Sequence, residues 1–401
     1  MKILFLIFIF FGFSFANNFI DAIKNGQTDG DINLLFDYVN SNPQDKNQTK
    51  YQTGSFLATT FGLYYKSAFY TNFRINIGFR GALPLWEQSK KSSYIGGFGS
   101  AARDFWDNNR AMIARSYLEY FDGDTSIKAG RIEDGSDLIS NHFDGVWLSN
   151  KSIGWLLIDF VYMNQYGMVL DRELSGFDKI QRWSNGSPIG YTRYGGAYYL
   201  GLTFEVLEWL KLKAYGQIVP DIYSYIAGKV AIDTTYFEAQ AGFIGGYEHR
   251  YSEFSDNSYL FHSDVGGKFE GDFGKVYANF GYINTSNGAG MGSLQISGNS
   301  FNPFFYFSGD VLNYHRAVNL VYGKIGYEAS FLDVYLVYGF NWFKNKLTTD
   351  YTRYKQGEIN LYFDWNILDT ANIIIHFLNT HGSKSAIPNI TQANLIFKIR
   401  F

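Results

Sequence analysis

Apolar and polar residues alternate one by one through many segments of this chain. In the last of them, Leu395, Phe397, Ile399 and Phe401 share one face, and the residues between them share the other. Alternation with a period of two is typical of a β-strand that has one apolar and one polar face. The same alternation recurs in residues 73–80, 197–205, 331–342 and 358–365. Each of these strands has only one face that suits water.

Counting by alternation predicts about eighteen strands. Short and long connections alternate between them. The short connections are 122–124, 150–152, 271–272 and 329–330, and the long polar ones are 81–110, 164–194 and 284–314. Tight turns at one rim and long loops at the other are typical of outer-membrane barrels. We therefore predict an all-β fold: a transmembrane antiparallel β-barrel with short periplasmic turns and long extracellular loops.

Two soluble all-β folds fit this pattern less well. A propeller or β-helix would repeat its sequence at a fixed period, and this chain shows no such repeat. A sandwich would have shorter strands and more than 6 Pro, and a chain of 401 residues would divide into domains. A closed barrel also gives every backbone N–H and C=O a partner without an exposed sheet edge, as lipid requires.

The composition agrees with a membrane barrel and excludes several functions. Aromatic residues make up 19% of the chain, and they supply the interfacial girdles of such barrels. Charged residues make up only 18%, against about 25% in soluble domains. The net charge of −3 gives no attraction to a phosphate backbone, so we expect no nucleic-acid partner. The absence of Cys excludes disulfides, thiolate metal sites and a Cys nucleophile.

Residues 1–16 have the features of a secretory signal peptide. Lys2 precedes an unbroken apolar run, and Ala16 ends a small-x-small cleavage site. The run is shorter than the roughly 20 apolar residues that span a bilayer, so we expect cleavage rather than a retained anchor. Residues 17–401 would then form a single exported barrel domain.

Three segments resemble a known family. They are FIDAIKNG at 19–26, a region at 115–148 that contains RSYLEY, SIKAGR and HFDGV, and the terminal strand that ends in Phe401. These motifs are similar to those of OprD-like (Opr-family) outer-membrane porins of Gram-negative bacteria. The resemblance implies an eighteen-stranded channel and a C-terminal strand that is recognised by the barrel-assembly machinery. One departure is the connection 219–223, which is too short for a typical outer loop.

A barrel of about eighteen strands is wide enough to leave a water-filled lumen. We therefore expect an outer-membrane porin that lets small hydrophilic solutes or ions diffuse passively, without a cofactor or a metal. Charged side chains in its narrowest section would set the selectivity. The expected surroundings are outer-membrane lipid, and the resemblance permits either a monomer or a homotrimer.

The resemblance also implies that the connection 132–142, between the fifth and sixth strands, folds inward as a constriction. It offers Asp134 and Asp137, with Asp144 just beyond. The facing wall is expected to carry the basic residues Arg74, Arg80, Arg115, Lys128 and Arg131. An alternative of equal weight is that these charges only line a solvated wall. Asp134 and Asp137 also suit a turn, because they flank a Gly-Ser pair.

Two other functions compete with that of a porin. An adhesin or receptor would use long loops such as 164–194, whose aromatic residues Trp183, Tyr191 and Tyr194 suit partner binding. A barrel enzyme is disfavoured, because the 6 His form neither an H-E-x-x-H motif nor a recognisable Ser/His/Asp setting. We therefore expect no catalytic residues.

Overall fold

The structure is a computed structural model of the chain. It describes residues 16–42, 53–88, 111–133, 135–137, 139, 142–170, 173–174, 176–184, 187–191, 195–251, 257–287, 303–304, 316–344, 353–382 and 389–401. The elements are α1 (Ala16–Lys24), β1 (Gln27–Asn42), β2 (Gly54–Lys66), β3 (Phe73–Glu87), β4 (Ala111–Phe121), β5 (Thr125–Glu133), β6 (His142–Ile153), β7 (Leu156–Gly167), β8 (Val169–Leu170), β9 (Glu173–Leu174), β10 (Gln181–Ser184), β11 (Ser187–Tyr191), β12 (Ala197–Leu207), β13 (Leu210–Val219), β14 (Tyr223–Asp233), β15 (Phe237–Glu248), β16 (Ser258–Gly271), β17 (Gly274–Thr285), β18 (Arg316–Ala329), β19 (Leu332–Lys344), β20 (Arg353–Leu368), β21 (Ala371–His381) and β22 (Asn389–Arg400).

Eighteen of these strands form one closed antiparallel sheet within the described residues. Each long strand pairs with the next along the chain, and β7 pairs with β12 across the four short strands. The first and last strands close the ring, with Leu34 opposite Phe397 and Ile32 opposite Ile399. The predicted eighteen-stranded antiparallel barrel is confirmed.

The two faces of each strand meet different surroundings. On β1 the outward set is Ile32, Leu34, Phe36 and Tyr38, whose exposed fractions are 36–48%. The inward set is Asp31, Asn33, Leu35, Asp37 and Val39, whose exposed fractions are 0–6%. The predicted apolar face of the last strand is also outward, since Leu395, Phe397 and Ile399 are exposed. The outward faces together form an apolar band of the kind that contacts lipid.

Several boundaries differ from those expected from the sequence. The turn between β6 and β7 lies at 154–155 rather than 150–152, and β3 continues to Glu87, inside the expected connection 81–110. The region 164–194 contains the short strands β8–β11. Residues 81–87 are mostly apolar, and Leu83 and Leu85 are exposed, so alternation and backbone pairing both continue past Arg80. The expected boundary at Arg80 therefore ended this strand too early.

The short connection 219–223 is a genuine outer turn. Strands β13 and β14 pair from Leu210↔Ile232 to Val219↔Tyr223, and Ile222 N donates to Val219 O at 3.0 Å. The strand pair that the resemblance placed in doubt is therefore formed, with a turn of only 220–222 at the rim of the long loops.

Helix α1, which alternation did not predict, packs on the rim of the tight turns. Ala22 O accepts a hydrogen bond from Ala68 N at 3.0 Å, and the Phe19 ring meets the Tyr70 ring edge-on at 5.9 Å. No helix in the part of the chain that the structure describes is long and apolar enough to cross a membrane. The expected signal segment lies almost entirely outside the described residues, which begin at Ala16.

The interior differs between the two halves of the barrel. Near the outer rim, Ile139, Ile180 and Phe304 from three connections are buried together with wall residues such as Tyr199 and Leu378. Nearer the tight turns, the inward side chains are charged and only partly buried. They include Lys128, Lys213, Lys229, Asp264 and Lys324. The barrel therefore has a packed outer half and a polar inner half that water reaches.

Phe401 lies at the seam that closes the barrel, and we predict that its ring serves assembly more than stability. Gly30 N donates to Phe401 O at 2.9 Å, Phe401 N donates to Gly30 O at 3.0 Å, and the side chain is 63% exposed. Phe401→Ala keeps both backbone bonds, so the refolded barrel should lose less than about 1 kcal/mol while the amount in the outer membrane falls severalfold.

The matched control is Phe273→Ala, which removes an 89% exposed ring from a tight turn at the same rim. Urea unfolding and membrane fractionation would be measured for both variants. Equal membrane levels for the two, with clear destabilisation of the Phe401 variant alone, would assign the ring to stability instead.

Candidate functional site

The hairpin of β5 and β6 bends at a pair of glycines. Gly130 lies opposite Gly145, and its φ of 133° is a conformation that other residues rarely adopt. A Cβ at Gly130 would overlap the carbonyl oxygen of Ser116, and one at Gly145 would overlap that of Tyr162. Both positions therefore require glycine, because the neighbouring backbones approach too closely for a side chain.

Beyond this glycine pair, the hairpin is covered on both faces. Ile132 and Phe143 on one face are fully buried, and His142 on the other face is 1% exposed. Elsewhere in the barrel the outward face exposes large apolar side chains to lipid. The end of this hairpin therefore packs against other parts of the protein on both sides.

The connection at the hairpin tip reaches the opposite strands β13 and β14 through Asp137. Its Oδ2 accepts hydrogen bonds from Lys213 Nζ at 2.9 Å and from Tyr215 OH at 2.5 Å, and Lys229 Nζ lies 3.5 Å away. Lys213 and Lys229 are register partners on the inward face. Asp137 therefore lies between two ammonium groups that would otherwise repel each other.

The residues beside Asp137 reinforce this contact. Ser136 shares a hydrogen bond with Tyr199 on β12, and Ile139 belongs to the buried cluster of the outer half. The described part of the connection 132–142 thus touches β12, β13 and β14, several strands away from its own hairpin. Asp134 lies outside the described residues.

The surroundings of Asp137 favour its charged form. Burial by itself would raise the pKa of this carboxyl group, but the hydrogen bonds from Tyr215 and Lys213 and the charges of Lys229 and Lys213 outweigh it. The pKa is therefore lowered from the ordinary 3.8, and Asp137 is an anion at neutral pH.

Two of the predicted basic residues form bidentate ion pairs within the wall. Arg74 donates to Glu119 at 2.5 and 2.8 Å, and Arg80 donates to Asp31 at 2.9 and 2.6 Å. Arg80 is 3% exposed and also donates to Tyr64 OH at 3.0 Å. Removing one partner of a buried pair costs about 3–5 kcal/mol. These two arginines are therefore part of the structure of the wall.

The other predicted basic residues also have neighbours. Arg115 lies 3.7 Å from Asp29 and 3.8 Å from Glu133, with its guanidinium 4.4 Å from the centre of the Tyr64 ring. Lys128 lies over the Tyr117 ring at 5.8 Å. None of these contacts joins them to Asp137. The described residues therefore place Asp137 against β13 and β14, and its position opposite the basic wall stays a prediction.

Arg131 and Asp144 are brought together by the strand register. They lie opposite each other on β5 and β6, and Arg131 donates to the two carboxylate oxygens at 2.7 and 2.9 Å. The guanidinium also stacks on the Phe177 ring at 3.5 Å. The pair ties the hairpin end to the connection that follows β7.

Sequence reasoning did not single out Lys213 and Lys229. The signal for Lys213 was present, because Lys211 and Lys213 alternate with Leu210 and Leu212. The sequence did not show that Asp137, 76 residues before Lys213, brings its carboxylate to the two lysines. Within the described residues, no group of three or more His, Asp or Glu is placed to hold a metal.

We predict that the glycine pair is needed for the fold of the hairpin. Gly145→Ala forces a Cβ against the Tyr162 carbonyl, so it should destabilise the barrel by roughly 2–4 kcal/mol. The control is Gly154→Ala, a turn position where a Cβ meets nothing within 4 Å. Urea unfolding of the refolded proteins gives the free energy of unfolding of both variants. Equal values for Gly145→Ala and Gly154→Ala would show that the hairpin tolerates a side chain at Gly145.

The lowered pKa of Asp137 predicts a particular pH dependence. A carboxyl group whose folded pKa is below its unfolded value stabilises the fold above the unfolded pKa, and the contribution is lost as the pH falls through the folded pKa. The difference in unfolding free energy between wild type and Asp137→Asn should therefore stay constant from about pH 7 to pH 5. It should shrink only as the pH falls below the ordinary 3.8. A difference that disappears above pH 5 would contradict the ion-pair assignment.

Comparison with solved structures supports the fold over nearly the whole chain. OccK3 (OpdO) of Pseudomonas aeruginosa superposes with a TM-score of 0.71 and 12% identity, covering 96% of this chain and 97% of its own. OccAB2 of Acinetobacter baumannii gives a TM-score of 0.72 and 13% identity, covering 95% and 99%. OpdK of P. aeruginosa, whose structure was determined with vanillate, gives 0.71 and 11%, covering 94% and 99%.

No family model and no curated protein matches the sequence. At 11–13% identity, the agreement with these structures concerns the fold. The resemblance to OprD-like porins is confirmed at that level. The chain has the eighteen-stranded fold of the OprD-family outer-membrane channels.

Proposed function

We propose that this protein is an outer-membrane channel through which small hydrophilic solutes diffuse passively. The observation that carries the proposal is the polar inner half of the lumen, where Lys213, Lys229, Asp264 and Lys324 face inward and remain partly exposed. Charged side chains on the inner face of a wide barrel line water. The apolar outer band and the fold shared with known channels support the location.

We further propose that Asp137 and its partners form the narrow section. The connection that carries Asp137 contacts strands on another part of the wall, and its neighbour Ile139 is buried. In this proposal, solutes that cross the lumen pass this cross-connection. Within the described set the section holds two ammonium groups and one carboxylate, so its local charge is +2 − 1 = +1.

The two ammonium groups favour small anions over cations at this point of the lumen. Opposite charges held a few ångströms apart also orient dipolar solutes as they pass. The neighbour OpdK was crystallised with vanillate, which carries a carboxylate, and a carboxylate suits the Lys213–Lys229 pair. We therefore propose small anionic solutes, carboxylates among them, as the preferred class.

The remaining expectations belong to the same proposal. The neighbouring structures are porin-type channels, which supports a function without catalytic residues, and the absence of a cofactor remains a prediction. Recognition of the terminal strand by the assembly machinery, and assembly as a monomer or a homotrimer, remain predictions. The adhesin alternative also remains a prediction: Tyr191 is 52% exposed, and the Trp183 side chain and Tyr194 lie outside the described residues.

We predict opposite shifts in ion selectivity for the two signs of charge. The purified barrel should show discrete conductance steps in a planar bilayer, with its reversal potential measured under a salt gradient. Asp137→Asn should increase the preference for anions. The double variant Lys213→Gln with Lys229→Gln should move selectivity the opposite way, towards cations, and by a larger amount. The double variant should have the larger effect, because it changes the local charge by two units instead of one.

Asp264→Asn is the control, since this lumen carboxylate is bound by Tyr322 OH at 2.9 Å and Asn279 Nδ2 at 3.0 Å and not by Lys213 or Lys229. Its shift should be smaller than that of Asp137→Asn. All shifts should shrink in 1 M salt, where the Debye length is about 3 Å. A folded protein that passes no current would refute the channel, and unchanged reversal potentials at low salt would place the narrow section elsewhere.

A further inference from the structure

Helix α1 carries an apolar face that the barrel does not cover. Phe19, Ile20 and Ile23 are 37–46% exposed, whereas the Ala22 side chain is 6% exposed. At 3.6 residues per turn the three large side chains share an arc of about 100°, and Asp21 lies on the opposite side of the helix. The helix therefore turns a small side chain to the barrel and leaves its large apolar side chains partly uncovered.

The contacts of α1 place this apolar face beside the lipid-facing band. Tyr65 OH donates to Ile23 O at 2.5 Å, and a Cβ at Gly26 would overlap the Tyr65 ring. Tyr65 continues the outward series of Phe61 and Leu63 on β2, both of which are exposed. The end of α1 therefore lies against an outward side chain at the edge of the band, on the rim of the tight turns.

Exposed aromatic rings surround the barrel at this rim, as in the interfacial girdle of a membrane barrel. They include Trp155, Trp209, Tyr236, Phe273, Phe331 and Phe401. Strand β1 adds no ring to this girdle, because its outward residues at the rim are Thr28 and Gly30. Helix α1 directly precedes β1 and supplies, next to it, the apolar surface that the strand lacks.

A helix as short as α1 needs support from its surroundings. The expected cleavage after Ala16 leaves residues 17–24 of it, and isolated helices shorter than about 12–15 residues are marginal in water. The contacts with Ala68, Tyr65 and Tyr70 hold one side of the helix and leave its apolar face open. The boundary between lipid headgroups and acyl chains stabilises amphipathic helices, because it accepts the apolar face and leaves the polar face in water.

We propose that α1 is an interfacial anchor whose apolar face inserts into the periplasmic leaflet of the outer membrane. The rim of the tight turns is the periplasmic rim in barrels of this kind. The partner is phospholipid, into which such a face is buried by about 5–10 Å. The face continues the lipid-facing band through Tyr65, which favours lipid over a second copy of the chain. This proposal rests on the membrane location of the barrel and not on conduction.

The experiment places one fluorescent label on each face of α1. Ile20→Cys carries a small, environment-sensitive fluorophore on the apolar face, and Asp21→Cys carries the same fluorophore on the polar face as the matched control. The chain has no other cysteine, and both positions are exposed, so each label is unique and displaces no packed side chain. The full-length barrels are reconstituted in phosphatidylcholine vesicles, with and without a phosphatidylcholine that carries a nitroxide near the top of its acyl chain.

The label at Ile20 should emit at a shorter wavelength than the label at Asp21, and the nitroxide lipid should quench it severalfold more strongly. Iodide on both sides of the membrane should quench the label at Asp21 more strongly. Equal quenching of the two labels by iodide would place the apolar face in water and overturn the proposal. Protection of the label at Ile20 from both quenchers would show that protein covers the face, which also overturns it.

A charge on the apolar face tests the same contact in a second way. Ile23→Glu, added to the labelled Ile20→Cys protein, should lower quenching by the nitroxide lipid severalfold. Asn25→Glu adds the same charge at an exposed position just beyond the helix and should leave quenching unchanged. Equal quenching in the two variants would overturn the proposal.

Should Ile23→Glu fail to fold, the comparison of the two labels carries the test. Conductance of the labelled proteins should stay at the wild-type level, because α1 lies outside the proposed narrow section. A folded protein whose Ile20 label is quenched by the nitroxide lipid and which passes no current would refute the channel and leave the anchor intact.

Discussion

The structure depends on the need to pair every backbone polar group of a chain that crosses lipid. Hydrocarbon offers no hydrogen-bond partner, so an exposed sheet edge is excluded there. The pairing of β22 with β1 removes the last edge, from Asp31↔Arg400 to Asn42↔Asn389. Once the sheet is closed, alternation assigns each side chain to lipid or lumen. The apolar band, the polar interior and the absence of a need for disulfides follow from this closure.

The connection between β5 and β6 is the part of the closed barrel that reaches strands on another part of the wall. A ring of eighteen strands is wide, so side chains on the wall alone leave its centre open. At Gly130 and Gly145 the neighbouring backbones approach too closely for a side chain, and the connection beyond this hairpin reaches β13 and β14. Asp137 then meets Lys213 and Lys229, whose mutual repulsion it offsets. The same carboxylate thus holds the connection against β13 and β14, and in the proposed function it also contributes to the charge of the narrow section.

The sequence predicted the features that depend on local periodicity. The outward series Leu395, Phe397 and Ile399 and the strand number follow from alternation, because lipid imposes it residue by residue. The tight turns were placed only to within a few residues, as the turn at 154–155 shows. Alternation could not predict the contact of Asp137 with Lys213, because the path of a loop depends on packing between distant segments. Helix α1 was missed because nine residues next to an apolar leader show no strand alternation. The basic wall was expected to face a loop, whereas Arg74 and Arg80 are held by Glu119 and Asp31.

The absence of cysteine from the chain permits a direct test of the water-filled lumen and its narrow section. A single Lys213→Cys variant would be reconstituted in a planar bilayer and treated with a bulky, charged thiol reagent, with Ile226→Cys on the lipid face as the control. The account predicts that the reagent lowers single-channel conductance in the Lys213 variant and leaves the Ile226 variant unchanged. Conductance that is insensitive to modification at Lys213, with the thiol shown to have reacted, would contradict it.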